Sequence, residues 1–236
     1  MIHKYYGKLT AVLEQIHLTQ QENIEAAAQM VASVIQQDGL IYMFGCGHSH
    51  LSGLDCFYRA GGLANVSAML DTDLMLHNGA AKSSVMEKMS GIAPSILERY
   101  CITDKDMLFI ISTSGKNAVP VEMAQAAQKM GIKTVSVVSS AYFSDKPMLY
   151  QYTDLYIDNC VPHGDAVMEI PGVSAKMGSV STAANALILQ SVLLRGAELA
   201  AMNGADVPAY MSGNVDGGSA FNKDLIGRYL PRIKHL

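Results

Sequence analysis

The segment Ile110-Ile111-Ser112-Thr113-Ser114-Gly115-Lys116-Asn117 constrains this chain more than any other. An apolar stretch, Met107 to Ile111, ends abruptly in small polar residues, and a helical pattern runs from Val121 to Met130 after Pro120. A strand, a hydroxyl-rich turn and a helix N-terminus in that order make an anion site. Unpaired backbone N–H groups and the positive end of the helix dipole converge on one spot. Ser112, Thr113 and Ser114 add hydroxyl donors, Asn117 adds an amide, and Gly115 permits a tight turn. A phosphate can be held there without a large basic patch.

A second turn of the same kind lies upstream. Leu40 to Phe44 reads as a short apolar strand that ends in Gly45-Cys46-Gly47-His48-Ser49, with an apolar-periodic helix beginning near Leu51. A Gly-x-Gly after one strand is common and weak as evidence. Two hydroxyl-bearing turns, both at the C-terminal ends of strands, are far more specific, because ligands of open α/β sheets sit at that edge.

The rest of the chain supplies the sheet. Strands are expected at 64–70, 132–138 and 155–157, with helices at 51–60, 83–100 (kinked at Pro94) and 178–202. Strand-then-helix repeats with continuous apolar strands imply a five-stranded parallel sheet covered on both faces, a three-layer α/β/α sandwich with right-handed crossovers. Residues 3–36 carry Tyr6, Leu9, Leu13, Ile16, Ile24, Ala27, Val31 and Val34 at helical spacing, so one long helix is expected, stopping at Asp38-Gly39. That helix precedes the first strand and is expected to pack on a neighbouring subunit. Residues 159–177 read as a long loop, and 203–236 as a polar tail closing in a short helix near 225–229. The chain therefore divides into a helix (1–38), an α/β core (39–203) and a tail (204–236) within one domain.

The paired turns resemble those of the sugar isomerase (SIS) domain family, whose members bind phosphosugars. That family's first motif, Gly-x-Gly-x-Ser, stands here as Gly45-Cys46-Gly47-His48-Ser49. Its second, Ser-x-Ser-Gly-x-Ser/Thr, stands as Ser112-Thr113-Ser114-Gly115-Lys116-Asn117, with Asn in the last hydroxyl position. The resemblance spans most of residues 30–205. It implies a flavodoxin-like or Rossmann-like sheet and a phosphorylated sugar bound by Gly47, His48, Ser49, Ser112, Thr113, Ser114 and Asn117. It does not fix the reaction.

Composition narrows the class. Of 236 residues half are hydrophobic and 16% are charged, so a large core is expected; the net charge of −4 argues against nucleic acid as a partner. Cys46, Cys56, Cys101 and Cys160 have no disulfide or metal spacing, as in reduced cytoplasmic proteins. Residues 1–13 lack an apolar signal core, and the longest apolar run, 183–194, is too short to span a bilayer. A cytoplasmic location and no membrane partner are expected.

Sugar-phosphate isomerisation needs a base near the carbonyl and a proton donor for the ring oxygen or enediol. Glu87 is the leading acid/base candidate: in the etherase-like branch of the family a Glu in this region does that work, against the plain alternative of a surface Glu beside Lys88. His50 is the second, as a donor to a substrate oxygen. Some phosphoheptose isomerases use zinc, but Leu54 stands at the i+4 position after His50, and the helical ligand positions hold Asp55 and Arg59. No metal and no other cofactor are therefore expected. Ser139, after the fourth strand, is a further candidate for substrate binding; His77, His163 and Glu169 lie in loops leaving the ligand edge and could reach the sugar, although for each a structural role is the commoner one. Asp216 and Asn214, in a Gly-flanked tail segment, read as a lid or a strap over a neighbouring subunit's site. Glu198 beside Arg195 reads as a surface pair at i, i+3.

The expected function is that of a phosphosugar-binding protein acting as a sugar-phosphate isomerase, assembled as a homodimer or homotetramer. The alternatives are a non-catalytic phosphosugar sensor and a sugar-phosphate ether lyase. A dinucleotide oxidoreductase fits poorly, because Ser49-His50 stand where spaced glycines are required, although Asp71 and Asp73 follow the second strand.

Overall fold

A computed structural model describes residues 1–236. Helices α1 (Ile2–Thr19) and α2 (Gln21–Gln36) lead into strand β1 (Ile41–Gly45) and helix α3 (His50–Cys56). Strand β2 (Val66–Ala68), helices α4 (Ala80–Met86) and α5 (Ala93–Glu98), strand β3 (Met107–Ile111) and helix α6 (Ala118–Lys129) follow. Strands β4 (Lys133–Val138) and β5 (Leu155–Asp158) complete the sheet. A hairpin of β6 (Ala166–Met168) and β7 (Met177–Ser179) precedes helix α7 (Ser181–Met202), and α8 (Gly218–Tyr229) lies in the tail. No helix is long and apolar enough to cross a membrane.

The sheet is parallel throughout, in the order β2-β1-β3-β4-β5. Alternate side chains leave each strand on opposite faces. Ile41 and Met43 join the core under α1, α2 and α7, whereas Tyr42 and Phe44 join the core under α5, α6 and the tail. Every residue of β1 and β3 is buried. This is the three-layer α/β/α sandwich expected from the sequence. Its strand order places the reversal of direction between β1 and β3, the crevice where open sheets bind ligands.

Several elements differ from expectation. The single helix over 3–36 is two helices. Gln20 leaves the helical path (φ −113°), is buried, and its Oε1 accepts from Asp158 N at the end of β5. The break thus satisfies a strand-end amide. Nor is this whole segment left for another subunit: Ala27, Ala28 and Val31 of α2 are fully buried against α7 of the same chain. Only α1 keeps an outward apolar face, with Ile2, Tyr6 and Leu18 exposed. The helix over 83–100 is α4 and α5, separated at Gly91 (φ +92°), and Pro94 sits in the first turn of α5 rather than at a kink. The loop over 159–177 folds into the β6–β7 hairpin, whose Ser179 carbonyl accepts from Tyr5 OH. The closing helix is twelve residues long, not five.

The tightest joint in the α-layer is Gly196. A Cβ there would stand 2.4 Å from Val31 Cγ1 and 3.0 Å from the Ala28 carbonyl oxygen. Gly196→Ala is therefore expected to lower stability by about 1–3 kcal/mol, although Ala is the better helix former. Urea unfolding checks this; an unchanged or raised midpoint contradicts it.

Candidate functional site at the ends of β1 and β3

Strands β1 and β3 pair to their last residues, Gly45 opposite Ile111. Neighbouring strands lie about 4.8 Å apart, so the two sequence-predicted turns begin side by side. Gly45 is required here: a Cβ would meet the Ser49 carbonyl carbon at 2.6 Å. The chain folds back so closely that Ser49 N donates to Cys46 O.

The second turn is fixed from four directions. Ser112 N donates to Val137 O, Ser139 N to Thr113 O, and Leu149 N to Gly115 O. Asn159, wholly buried beside the end of β5, gives one amide hydrogen to Asn185 Oδ1 (2.9 Å) and one to Thr113 Oγ1 (3.3 Å). Its own Oδ1 accepts from Val161 N. A buried amide satisfied on every side rigidifies what it touches.

What the turn leaves open matters most. The backbone N–H groups of Thr113, Ser114, Lys116, Asn117 and Ala118 donate to no protein acceptor. Unpaired amides at a partly buried turn are costly unless an outside acceptor meets them. Ser112 Oγ accepts from Gly115 N at 3.3 Å, and its own hydrogen remains free. Ser114 Oγ and the Asn117 side chain make no hydrogen bond at all. The helix end contributes less than the sequence suggested: Val119 N is taken by Glu87 O at 3.1 Å, and Pro120 has no N–H. The free donors belong to the turn itself.

That bond locates Glu87. It caps α4, is half-buried, and its backbone touches the first turn of α6. Helix α4 packs on the first turn, where burial pushes the Cys46 thiol well above its ordinary pKa and the charges of Glu87 and Asp71 add to the shift. Glu87, at the end of that helix, therefore lies between the first turn and the start of α6.

A histidine cluster faces the first turn. His50 is buried, with its ring 5.9 Å from that of His77. Its pKa is lowered by burial; the hydrogen bond to the Gly47 carbonyl opposes the shift, and His77 and His48 add to it. A carbonyl only accepts, so Nδ1 carries the proton in that bond and Nε2 of the neutral ring is an acceptor. The sequence points to His50 as a donor to a substrate oxygen; with Nδ1 held by the Gly47 carbonyl, Nε2 is the ring nitrogen left for such a contact. His48 is exposed and Ser49 half-exposed on the same turn.

Other candidates stand further out. His163 stacks on Tyr142 (centroids 4.5 Å apart), and Lys116 Nζ lies 5.8 Å from the Tyr142 ring, so all three flank the serine turn. Tyr142, Asn159 and Asn185 carried no sequence signal beyond their place after a strand or on the last helix. The Ser139 hydroxyl is committed, donating to Val161 O at 2.6 Å and accepting from Ala141 N. It joins loops and has no free hydrogen for a ligand. Glu169 pairs with Lys176 across the hairpin, and Glu198 pairs with Arg195, which also binds Glu25. Asp216 lies in an exposed turn of a tail tied down at Gly61 and Gly62 through Tyr210. That is the side where the strands begin, so Asp216 and Asn214 are not a lid over this chain's serine turn. No three His, Cys, Asp or Glu side chains gather into a set that could hold a metal ion.

Comparison with known proteins agrees with this geometry. The SIS domain family matches residues 4–139. A UPF0309 protein of Geobacillus thermodenitrificans is 38% identical over 99% of this chain and 96% of its own length. Among solved structures, phosphoheptose isomerase from Neisseria gonorrhoeae superposes with a TM-score of 0.58 at 16% identity, covering 82% of this chain and 96% of that one. The Vibrio vulnificus NanR protein, complexed with ManNAc-6P, gives a TM-score of 0.52 at 14% identity, covering 99% of this chain and 70% of that one. The sheet order, the paired turns and these matches lead to one conclusion: the chain belongs to the SIS domain family, among the UPF0309 proteins.

Proposed function

We propose that this protein binds a phosphorylated sugar at the serine turn and isomerises it. The observation that carries the reading is the set of five uncommitted backbone N–H groups at 113, 114 and 116–118, with free hydroxyl hydrogens beside them. Such a nest fits the oxygens of a phosphate. We read the whole chain as one domain: β5 and α7, beyond residue 139, share the sheet and the core of the elements before it, which supports this reading.

With phosphate in the turn, the sugar extends toward Glu87 and His50. Isomerisation moves one hydrogen between adjacent carbons and one between their oxygens. Glu87 takes the proton from the carbon next to the carbonyl and returns it to the neighbouring carbon. His50, through Nε2, accepts the hydroxyl proton and delivers it to the former carbonyl oxygen. His48, Ser49 and Asn117 orient the ring and the phosphate, and His163 borders the opening. A second reading is a sensor that binds without turnover; the NanR neighbour, complexed with ManNAc-6P, supports it. Ether cleavage would use the same Glu87. Turnover of a sugar phosphate that binds separates these readings.

Ser112→Ala/Ser114→Ala removes two charge-assisted hydrogen bonds of about 1.5–3 kcal/mol each. Sugar-phosphate affinity, measured by calorimetry over hexose, hexosamine, heptose and muramic acid phosphates, falls by about 100-fold or more. A folded double variant with unchanged affinity overturns the phosphate assignment.

Glu87→Gln keeps size and polarity but removes the base. Binding stays nearly intact while turnover drops by about 10²–10⁴. Full activity in this variant removes Glu87 from the chemistry.

The protein assembles at least as a homodimer through α1 and α7. Ile2, Tyr6 and Leu18 on α1 and Leu187, Leu194 and Met202 on α7 are exposed. Soluble monomers rarely leave so much apolar surface uncovered. Sedimentation at micromolar concentration gives twice the chain mass or more; a stable monomer contradicts this.

A further inference from the structure

A cavity of about 700 Å³ lies away from the serine turn. Its walls include Leu40 and Asp106, the residues immediately before β1 and β3, so it opens at the opposite edge of the sheet. The tail beyond α8 closes its other side through residues 230–234 and 236. The volume falls within the roughly 300–1,000 Å³ of small-molecule sites.

Its charge is one-sided. Arg99, Arg232 and Lys234 line it, against the single acidic side chain of Asp106. Asp106 is already committed, accepting from Leu40 N, Thr103 N and Thr103 Oγ1. Arg232 leans on Asp38, and Arg99 reaches Asp71 only at 3.4 Å. Lys234 forms no ion pair and rests over the Tyr100 ring at 5.4 Å.

A second, independent observation points inward. Tyr42 lines the cavity, and its hydroxyl makes no hydrogen bond within the protein while remaining accessible from that space. Its neighbour Tyr100, by contrast, bonds Leu70 and His235. The Tyr42 hydroxyl is thus a donor available to whatever enters the cavity. Here it faces a space walled by cations, an aromatic ring, and the apolar side chains of Leu40 and Ile233.

We propose that this cavity is a second ligand site, built for a small organic anion: one oxyanion group held by Arg99, Lys234 and the Tyr42 hydroxyl, on an apolar or aromatic body. The site is independent of what the serine turn binds.

Calorimetry of the full chain with benzoate, phenyl phosphate and benzyl alcohol tests it, the first two distinguishing a carboxylate from a phosphate. At least one anion binds with a submillimolar Kd, and the neutral alcohol does not. Arg99→Gln/Lys234→Gln weakens that anion about tenfold or more. Tyr42→Phe, which keeps the ring in the core, weakens it about fivefold. Ser112→Ala/Ser114→Ala leaves it unchanged. The proposal is overturned if neither anion binds at millimolar concentration, if benzyl alcohol binds as well, if the cation and tyrosine variants bind like wild type, or if binding is lost only in the serine variant.

Discussion

The pairing of β1 with β3 is the contact on which the rest of the molecule depends. Because Ile41 to Gly45 stand opposite Met107 to Ile111 over their whole length, both strands end at the same height. Their following turns must then share one crevice, since the order β2-β1-β3-β4-β5 sends the two crossovers to opposite sides. A shift of register by one residue would turn every buried side chain to the other face. The complete burial of both strands forbids that. The hydrophobic pattern of ten residues thus fixes where two polar turns meet.

Once the turns meet, hydrogen bonding decides what they offer. The serine turn is held by β4, by the segment around Leu149, by Asn159 and, through Asn159, by Asn185 on α7. Each bond fixes a carbonyl or a side chain and leaves the amides of residues 113, 114 and 116–118 free. Preorganisation of this kind lowers the cost of ordering the loop when an anion arrives. On the first turn, burial and the neighbouring His77 and His48 lower the pKa of His50, and α4, which ends at Glu87, packs close by. A donor nest, a buried imidazole and the helix end that carries Glu87 therefore gather at the switch point.

Much of this was legible in the sequence, and the reasons differ by element. Strands β1 and β3 announced themselves as unbroken apolar runs, and both turns as glycine and hydroxyl clusters directly after them. The helix break at Gln20 was not legible, because it serves an amide of Asp158 far along the chain. Strands β6 and β7 are three residues each and only partly buried, too short for a period to show. Glu87 was picked from its place after β2, but its bond to Val119 and the loss of helix-end donors at α6 depend on tertiary contact. Whether Asp216 lies over this chain's own serine turn was not legible, because a Gly-flanked polar segment looks alike at either edge of a sheet. Ser139 misled because a hydroxyl in the right place can be consumed by the backbone around it.

The central claim is that the uncommitted amides after β3 are a phosphate site. A crystal structure of the protein with a bound hexosamine 6-phosphate tests it most directly. Phosphate oxygens are expected about 3 Å from amide nitrogens of residues 113, 114 and 116–118, with the sugar reaching toward Glu87. A sugar phosphate bound with its phosphate elsewhere, and these amides facing only water, would contradict it.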